Sequence, residues 1–109
     1  NVAGRLLGQF PYGDGKIDGV APFFYENGDL LAQVTYKNGV IAGYKEFFPD
    51  GTLRTEIAYR KGVRHGTAKF YYNTGHLLCE GRYKNGRQAG KWRYYKVTGE
   101  KRDDFLIYD

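Results

Sequence analysis

Few side chains in this 109-residue chain are of types that do chemistry: two histidines, one cysteine, a recurring acidic column, and a run of Arg and Lys interleaved with rings. A histidine that acts as base or metal ligand needs a second group to orient it. His65 and His76 have no Cys or carboxylate at ligand spacing, and both read as solvated turn residues. Cys79 is the only cysteine, so a disulfide within the chain and a multi-cysteine metal site are both excluded. It falls in the small-residue slot that Ala32 and Thr55 fill elsewhere, which points to packing rather than nucleophilic attack. The stretch from Asp14 to Gly19 outlines a calcium loop, but Tyr25 stands where the last carboxylate ligand belongs, and a hairpin turn is the better reading. Catalytic residues, metal sites and cofactors are therefore expected to be none.

Gln9, Gln33, Glu56, Glu80 and Asp104 recur at one position of a longer pattern. A pair of carboxylates can perform acid–base catalysis. A residue that recurs with the structural unit is explained first by the unit, here as a polar face pairing with Arg54, Arg82 or Arg102. The stronger signal is charge. Residues 60–102 carry 12 basic and 2 acidic side chains, whereas residues 1–59 carry 5 and 7. Arg60, Lys61, Arg64, Lys69, Arg82, Lys84, Arg87, Lys91, Arg93 and Lys96, with Trp92 as an aromatic anchor, form the candidate interaction surface. An acidic protein surface is the expected partner and an anionic lipid surface the rival. Nucleic acid is disfavoured, because rings that could stack on bases already have a structural task.

That task follows from a repeat. Gly39, Gly62 and Gly86, preceded by Gly15, stand 24, 23 and 24 residues apart; Gly19, Gly43, Gly66 and Gly90 keep the same spacing, and Gly28, Gly51, Gly75 and Gly99 run in step. A fixed period of this size is the mark of a repeat array. We read a half repeat over residues 1–13 and repeats over 14–36, 37–59, 60–83 and 84–109, all in one domain. Each repeat splits into strand A, starting at its second glycine, and strand B, which alternates: Leu30, Ala32, Val34, Tyr36; Leu53, Thr55, Ile57, Tyr59; Leu77, Cys79, Gly81, Tyr83. The N-terminal half repeat follows suit from Gly4, with Leu6, Gly8, Phe10 and Tyr12. Period-two alternation buries one face of a strand. Links as short as Tyr36-Lys-Asn-Gly39 require antiparallel neighbours. The expected fold is all-β: an elongated single-layer antiparallel meander of about nine strands, since each full repeat supplies two and the half repeat one. Adjacent rings (Phe23-Phe24, Phe47-Phe48, Phe70-Tyr71, Tyr94-Tyr95) must point to opposite faces, and Gly81 lets a ring lie across the backbone. In the last strand Lys101 and Asp103 replace the inward residues while Phe105 and Ile107 stay apolar, as in a terminal repeat blunting an open edge that could otherwise self-associate.

The turn spacing and the run from Glu80 to Tyr95 resemble MORN repeats, and more closely the bacterial MORN variant of the YwqK-type antitoxins. The matching positions are Asn38-Gly39, Gly43, Phe47-Phe48, Gly51, Leu53, Glu56 and Tyr59, then Asn85-Gly86, Gly90, Tyr94-Tyr95 and Gly99. The resemblance spans the chain. It departs from the Tyr-x-Gly-x-Trp opening of standard MORN repeats, having Cys79-x-Gly81-x-Tyr83 in one repeat and no glycine at that place in the others. It implies protein association, with membrane attachment in some arrays and toxin neutralisation in the antitoxin branch. A phosphatidylinositol-phosphate kinase label would reflect only the repeats that some plant kinases carry beside their catalytic domain; this chain lacks the phosphate-cradling loop and metal-binding motif. The chain begins at Asn1 and contains no Met, as a trimmed piece would, so its compartment stays unread and a preceding signal or anchor segment stays open.

Overall fold

A computed structural model describes residues 5–6, 12–13 and 15–108. Among these every regular element is a strand: β1 (Arg5–Leu6), β2 (Tyr12–Gly13), β3 (Lys16–Ile17), β4 (Gly19–Phe24), β5 (Leu30–Lys37), β6 (Val40–Phe47), β7 (Leu53–Arg60), β8 (Val63–Tyr71), β9 (Leu77–Lys84), β10 (Arg87–Tyr95) and β11 (Lys101–Tyr108). Nine of them form one antiparallel sheet in the order β1-β4-β5-β6-β7-β8-β9-β10-β11, and β2 pairs with β3 alone. Arg5 opposite Phe24 and Tyr12 opposite Ile17 belong to one register, so the half repeat joins the meander as expected where it is described. Gly4, Gly8, Gln9, Phe10 and Asp14 lie outside the described residues. The array is thin and elongated, with extents of 48 × 33 × 20 Å.

Two kinds of turn alternate, each dictated by its residues. Between repeats the chain reverses through Asn38-Gly39, Lys61-Gly62 and Asn85-Gly86, with both φ values positive in each pair. This two-residue turn matches the right-handed twist of the strands it joins, and glycine takes its second position without steric cost. Within repeats the loop is longer. Gly28, Gly51, Gly75 and Gly99 donate to the carbonyls of Tyr25, Phe48, Tyr72 and Lys96, whose amides donate to residues 29, 52, 76 and 100. Side chains at the turn close it further, with Asn27, Asp50, Thr74 and Thr98 accepting from the amide two residues on.

Strand A differs from the sequence expectation. It starts just after the first turn, at Val40, Val63 and Arg87, so the second glycine lies inside it. The register slips there: Ile57 pairs with Ala68 but Tyr59 with Arg64, and Arg82 pairs with Ala89 but Glu80 with Arg93. Gly66 and Gly90 supply the positive φ these bulges need, whereas Gly43 keeps an ordinary φ and its bulge is one residue shorter. The second repeat is consequently offset. Tyr44, not Lys45, occupies the slot of Ala21, Ala68 and Trp92, and Glu46 takes that of Phe23, Phe70 and Tyr94.

One face then forms a continuous row of cross-strand neighbours, Ala21, Val34, Tyr44, Ile57, Ala68, Gly81, Trp92 and Leu106. Small residues stand beside large ones at Ala21–Val34, Ile57–Ala68 and Gly81–Trp92, which helps a single layer reach close packing without a second sheet. The extreme pair is Gly81 and Trp92. Trp92 is 1% exposed and packs with Phe70, Tyr83 and Tyr108 at ring-centroid distances of 6.2, 5.3 and 6.3 Å. Its Nε1 donates to the Arg82 carbonyl at 3.2 Å, so the ring is buried without an unmet donor.

Candidate binding surface

The opposite, outer face carries a polar row that crosses the sheet. Gln33, Lys45, Glu56, Lys69, Glu80 and Arg93 are successive cross-strand partners, with cation and carboxylate alternating from strand to strand. Glu56 and Glu80 thus face lysines and Arg93, not Arg54 or Arg82 as their sequence neighbours suggest, whereas the expected pairing with Arg102 holds for Asp104. Pairing runs across strands, where directly opposed side chains meet. Lys45 and Glu56 form an ion pair at 4.0 Å. Asp104 leaves the column altogether and pairs with Arg102 of its own strand at 2.7 Å. A shallow hollow of about 440 Å³ lies along this row over Thr35, Gly43, Ala58 and Thr67, walled by Lys45, Glu56 and Lys69.

Towards β11 the balance changes. Glu80 is engaged by the Tyr95 hydroxyl, which donates to Oε2 at 2.8 Å. That hydrogen bond, helped by partial burial and by the carboxylate's charge, raises the Tyr95 phenol above its ordinary value. Arg82, Lys91 and Arg93 surround a second hollow of about 270 Å³ together with Thr67 and Glu80. None of the three makes an ion pair among the described residues. Lys91 and Arg93 lean over the Phe105 ring, with Nζ 4.3 Å and Cζ 5.9 Å from its centroid. Their positive heads therefore sit above the last strand.

The structure divides what the sequence presents as one surface. Lys69, Arg82, Lys91 and Arg93 share the outer face. Arg60 and Lys61 stand at one two-residue turn and Lys84 and Arg87 at the next. Arg64 lies over the Tyr83 ring at 4.5 Å and donates to the Gly86 carbonyl, so it clamps the turn of the following repeat. Lys96 is at the opposite end of the strands, where it accepts and donates the closing hydrogen bonds of the last loop. Trp92 is a correction: it is core, buried against Gly81, and offers no surface to a partner. Tyr36, Tyr59 and Tyr83 remain in the partly buried inner column assigned to them.

The other chemically capable residues resolve into structural roles. His65 is on β8 rather than in a turn, and its Nδ1 accepts from the Asn85 amide at 3.1 Å. Asp18 does the same for Asn38 one repeat pair earlier, so both are staples between successive turns. His76 is exposed in its loop, with its ring against Gly99 of the next loop. Cys79 is buried, and that burial, with the Glu80 carboxylate adding to it, pushes the thiol up to about 11. It is a poor nucleophile at neutral pH.

Sequence reasoning also misplaced the last strand. Phe105 pairs with Arg93, Leu106 with Trp92 and Ile107 with Lys91, after a slip near the loop end. A one-residue slip exchanges the faces of every side chain. Phe105 and Ile107 therefore point to the outer face, while Leu106 and Tyr108 face the core row. The signal was present in the tyrosines: Tyr36, Tyr59 and Tyr83 are 23 and 24 residues apart, and Tyr108 follows after 25.

Comparison with known proteins agrees with this architecture. Residues 17–38 and 64–85 match the family described as MORN repeat variant. A search of curated proteins returns no match to the chain. The crystal structure of accessory secretory protein 1, 2 and 3 in Streptococcus pneumoniae contains a similar fold, with a TM-score of 0.53 and 18% sequence identity. The likeness covers 81% of this chain and 17% of that one, so this chain spans about a sixth of its neighbour's length. Two stretches of the chain are thus similar to the MORN repeat variant, and what it shares with the secretory structure is the fold.

Proposed function

We propose that this chain is a non-catalytic association module that takes an acidic protein surface on its outer face near β11. One observation carries the reading. Arg82, Lys91 and Arg93 converge on a single hollow, and the one carboxylate there is already held by Tyr95. Elsewhere on this face Glu56 stands between Lys45 and Lys69, so the larger net positive field lies towards the C-terminal end. The open outer hollows suit contact with another macromolecule better than enclosure of a small substrate. Toxin neutralisation, which the resemblance to antitoxins suggests, would be one instance, with the module masking an acidic surface of the toxin.

Arg82→Glu, Lys91→Glu and Arg93→Glu together should abolish capture of an acidic partner in a pull-down while the far-UV circular dichroism is unchanged. Arg60→Glu, Lys61→Glu and Lys84→Glu, at the turns, should leave most of it intact. Equal losses in the two sets would refute a localised site. Exposed Phe105 and Ile107 beside the same cations favour a second reading, attachment to an anionic lipid surface. Co-sedimentation with phosphatidylserine vesicles across a salt series decides between them.

A further inference from the structure

β11 forms an unusual edge among the described residues. Among the described residues β11 pairs on one side only, with β10, and it ends the sheet order. Its first half is charged, but Phe105, Leu106 and Ile107 are 41, 48 and 69% exposed in succession. No proline interrupts β11, and unpaired edges with apolar residues are the ones that accept further strands. We propose that this edge receives an extended segment of the acidic partner as an additional antiparallel strand. The segment would carry carboxylates at alternate positions on the outer face and aliphatic side chains between them. This inference rests on the association role proposed above and specifies the partner's conformation and pattern.

The charge at the edge selects the occupant. A strand added to β11 lies about 4.8 Å from it. Lys91 Nζ and Arg93 Cζ already sit 4.3 and 5.9 Å from the Phe105 ring centroid, so both positive heads lie over the strand that the newcomer would join. A glutamate opposite Phe105 or Ile107 would reach them. On the other face, Leu106 and Tyr108 would meet the aliphatic side chains, extending the inner row past Trp92. A second copy of this chain fits less well. Its β11 would present Phe105 and Ile107 where carboxylates are wanted, its Asp104 is taken by Arg102, and two cationic ends would be brought together. Main-chain hydrogen bonds would give affinity and the alternating side chains specificity, as in other cases of strand addition.

The test uses the 109-residue chain and three ten-residue peptides: Glu alternating with Val, Lys alternating with Val, and the Glu peptide with alternate backbone amides N-methylated. Calorimetry should show binding of the Glu peptide, none of the Lys peptide, and a loss of about tenfold or more on N-methylation, because the methyl groups block the ladder. Amide shifts on binding should concentrate in residues 101–108, and Lys91→Glu with Arg93→Glu should weaken binding by about tenfold. If the N-methylated peptide binds as well as its parent, strand addition is wrong while the charge-based reading stands. If the Lys peptide binds equally, both fail. A dimer in sedimentation equilibrium that excludes the Glu peptide from residues 101–108 would make a second copy the occupant and overturn the proposal.

Discussion

Gly81 and Trp92 offer the sharpest test of how a one-layer sheet is held together. A Cβ built on Gly81 would lie 2.2 Å from Trp92 Cδ2, 2.4 Å from Cε2 and 2.6 Å from Cγ. These atoms belong to a rigid ring that is 1% exposed and wedged among Phe70, Tyr83 and Tyr108, so it has no free end to swing away. Gly81→Ala should therefore cost at the upper end of the usual overpacking range of about 1–3 kcal/mol. Trp92→Ala should cost about 3–5 kcal/mol from lost burial and the cavity left behind. The preceding repeat junction solves the same position in the reverse sense, with Ile57 against Ala68. Gly81→Ala combined with Trp92→Ala moves towards that solution and should be less destabilised than the two single changes summed, by about 1–3 kcal/mol. Urea unfolding followed by far-UV circular dichroism measures all four proteins without relying on the tryptophan. Strict additivity, or a Gly81→Ala protein as stable as the parent, would refute the idea that small–large complementarity along this row replaces a second layer.

Two further outcomes follow from single residues. Lys61 adopts φ 52° in a turn whose equivalents are Asn38 and Asn85, so Lys61→Asn should raise stability by about 0.5–1 kcal/mol, read from the urea midpoint. The Cys79 thiol and the Tyr44 and Tyr94 phenols are all raised chiefly by burial, and Tyr95 by its bond to Glu80. Raised acids of this kind favour the folded state while protonated, so their contribution is complete below the unfolded values and is lost as pH climbs through the folded ones. Stability should hold at neutral pH and fall from about pH 9 upward, while Cys79 reacts with a thiol reagent at pH 8 only as fast as the chain opens. Rapid stoichiometric labelling of the native protein would contradict the burial assigned to it.

The period, the alternation of strand B and the turn chemistry were legible because each is a local consequence of residue type. Asn-Gly takes two positive φ angles, glycine alone tolerates the bulge, and Leu, Val, Ile and Tyr at every second position must share a face. Gly81 as a seat for a ring was also legible, since it interrupts a column of larger residues. What escaped was register. Glycine spacing suggested Lys45 for the Trp92 slot, but the second repeat omits one residue between its turns and Tyr44 moves in. Likewise an extra residue in the fourth repeat turned Phe105 and Ile107 outward. A bulge one residue longer or shorter changes no local propensity, so only cross-strand pairing reveals it. The candidate surface suffered the same way: ten cations close in sequence were distributed over a face, two turns and an opposite end.

The slip in β11 is what puts exposed apolar side chains and cations together at the C-terminal end of the sheet. Had the fourth repeat kept the register of the third, Phe105 and Ile107 would have entered the inner row and left Leu106 to the outer face. Lys91 and Arg93 would then have had no ring to lie over, and their side chains could have turned back towards Glu80 and closed the alternating row. Instead the extra residue places an aromatic ring at the outer edge, draws two cations over it, and leaves Glu80 to Tyr95. The inner row is still completed, because Tyr108 meets Trp92 from the far side as Tyr83 does from the near one. One inserted residue thus keeps the packing of the array while converting its last hairpin from a self-neutralised strand pair into a positively charged, partly apolar edge.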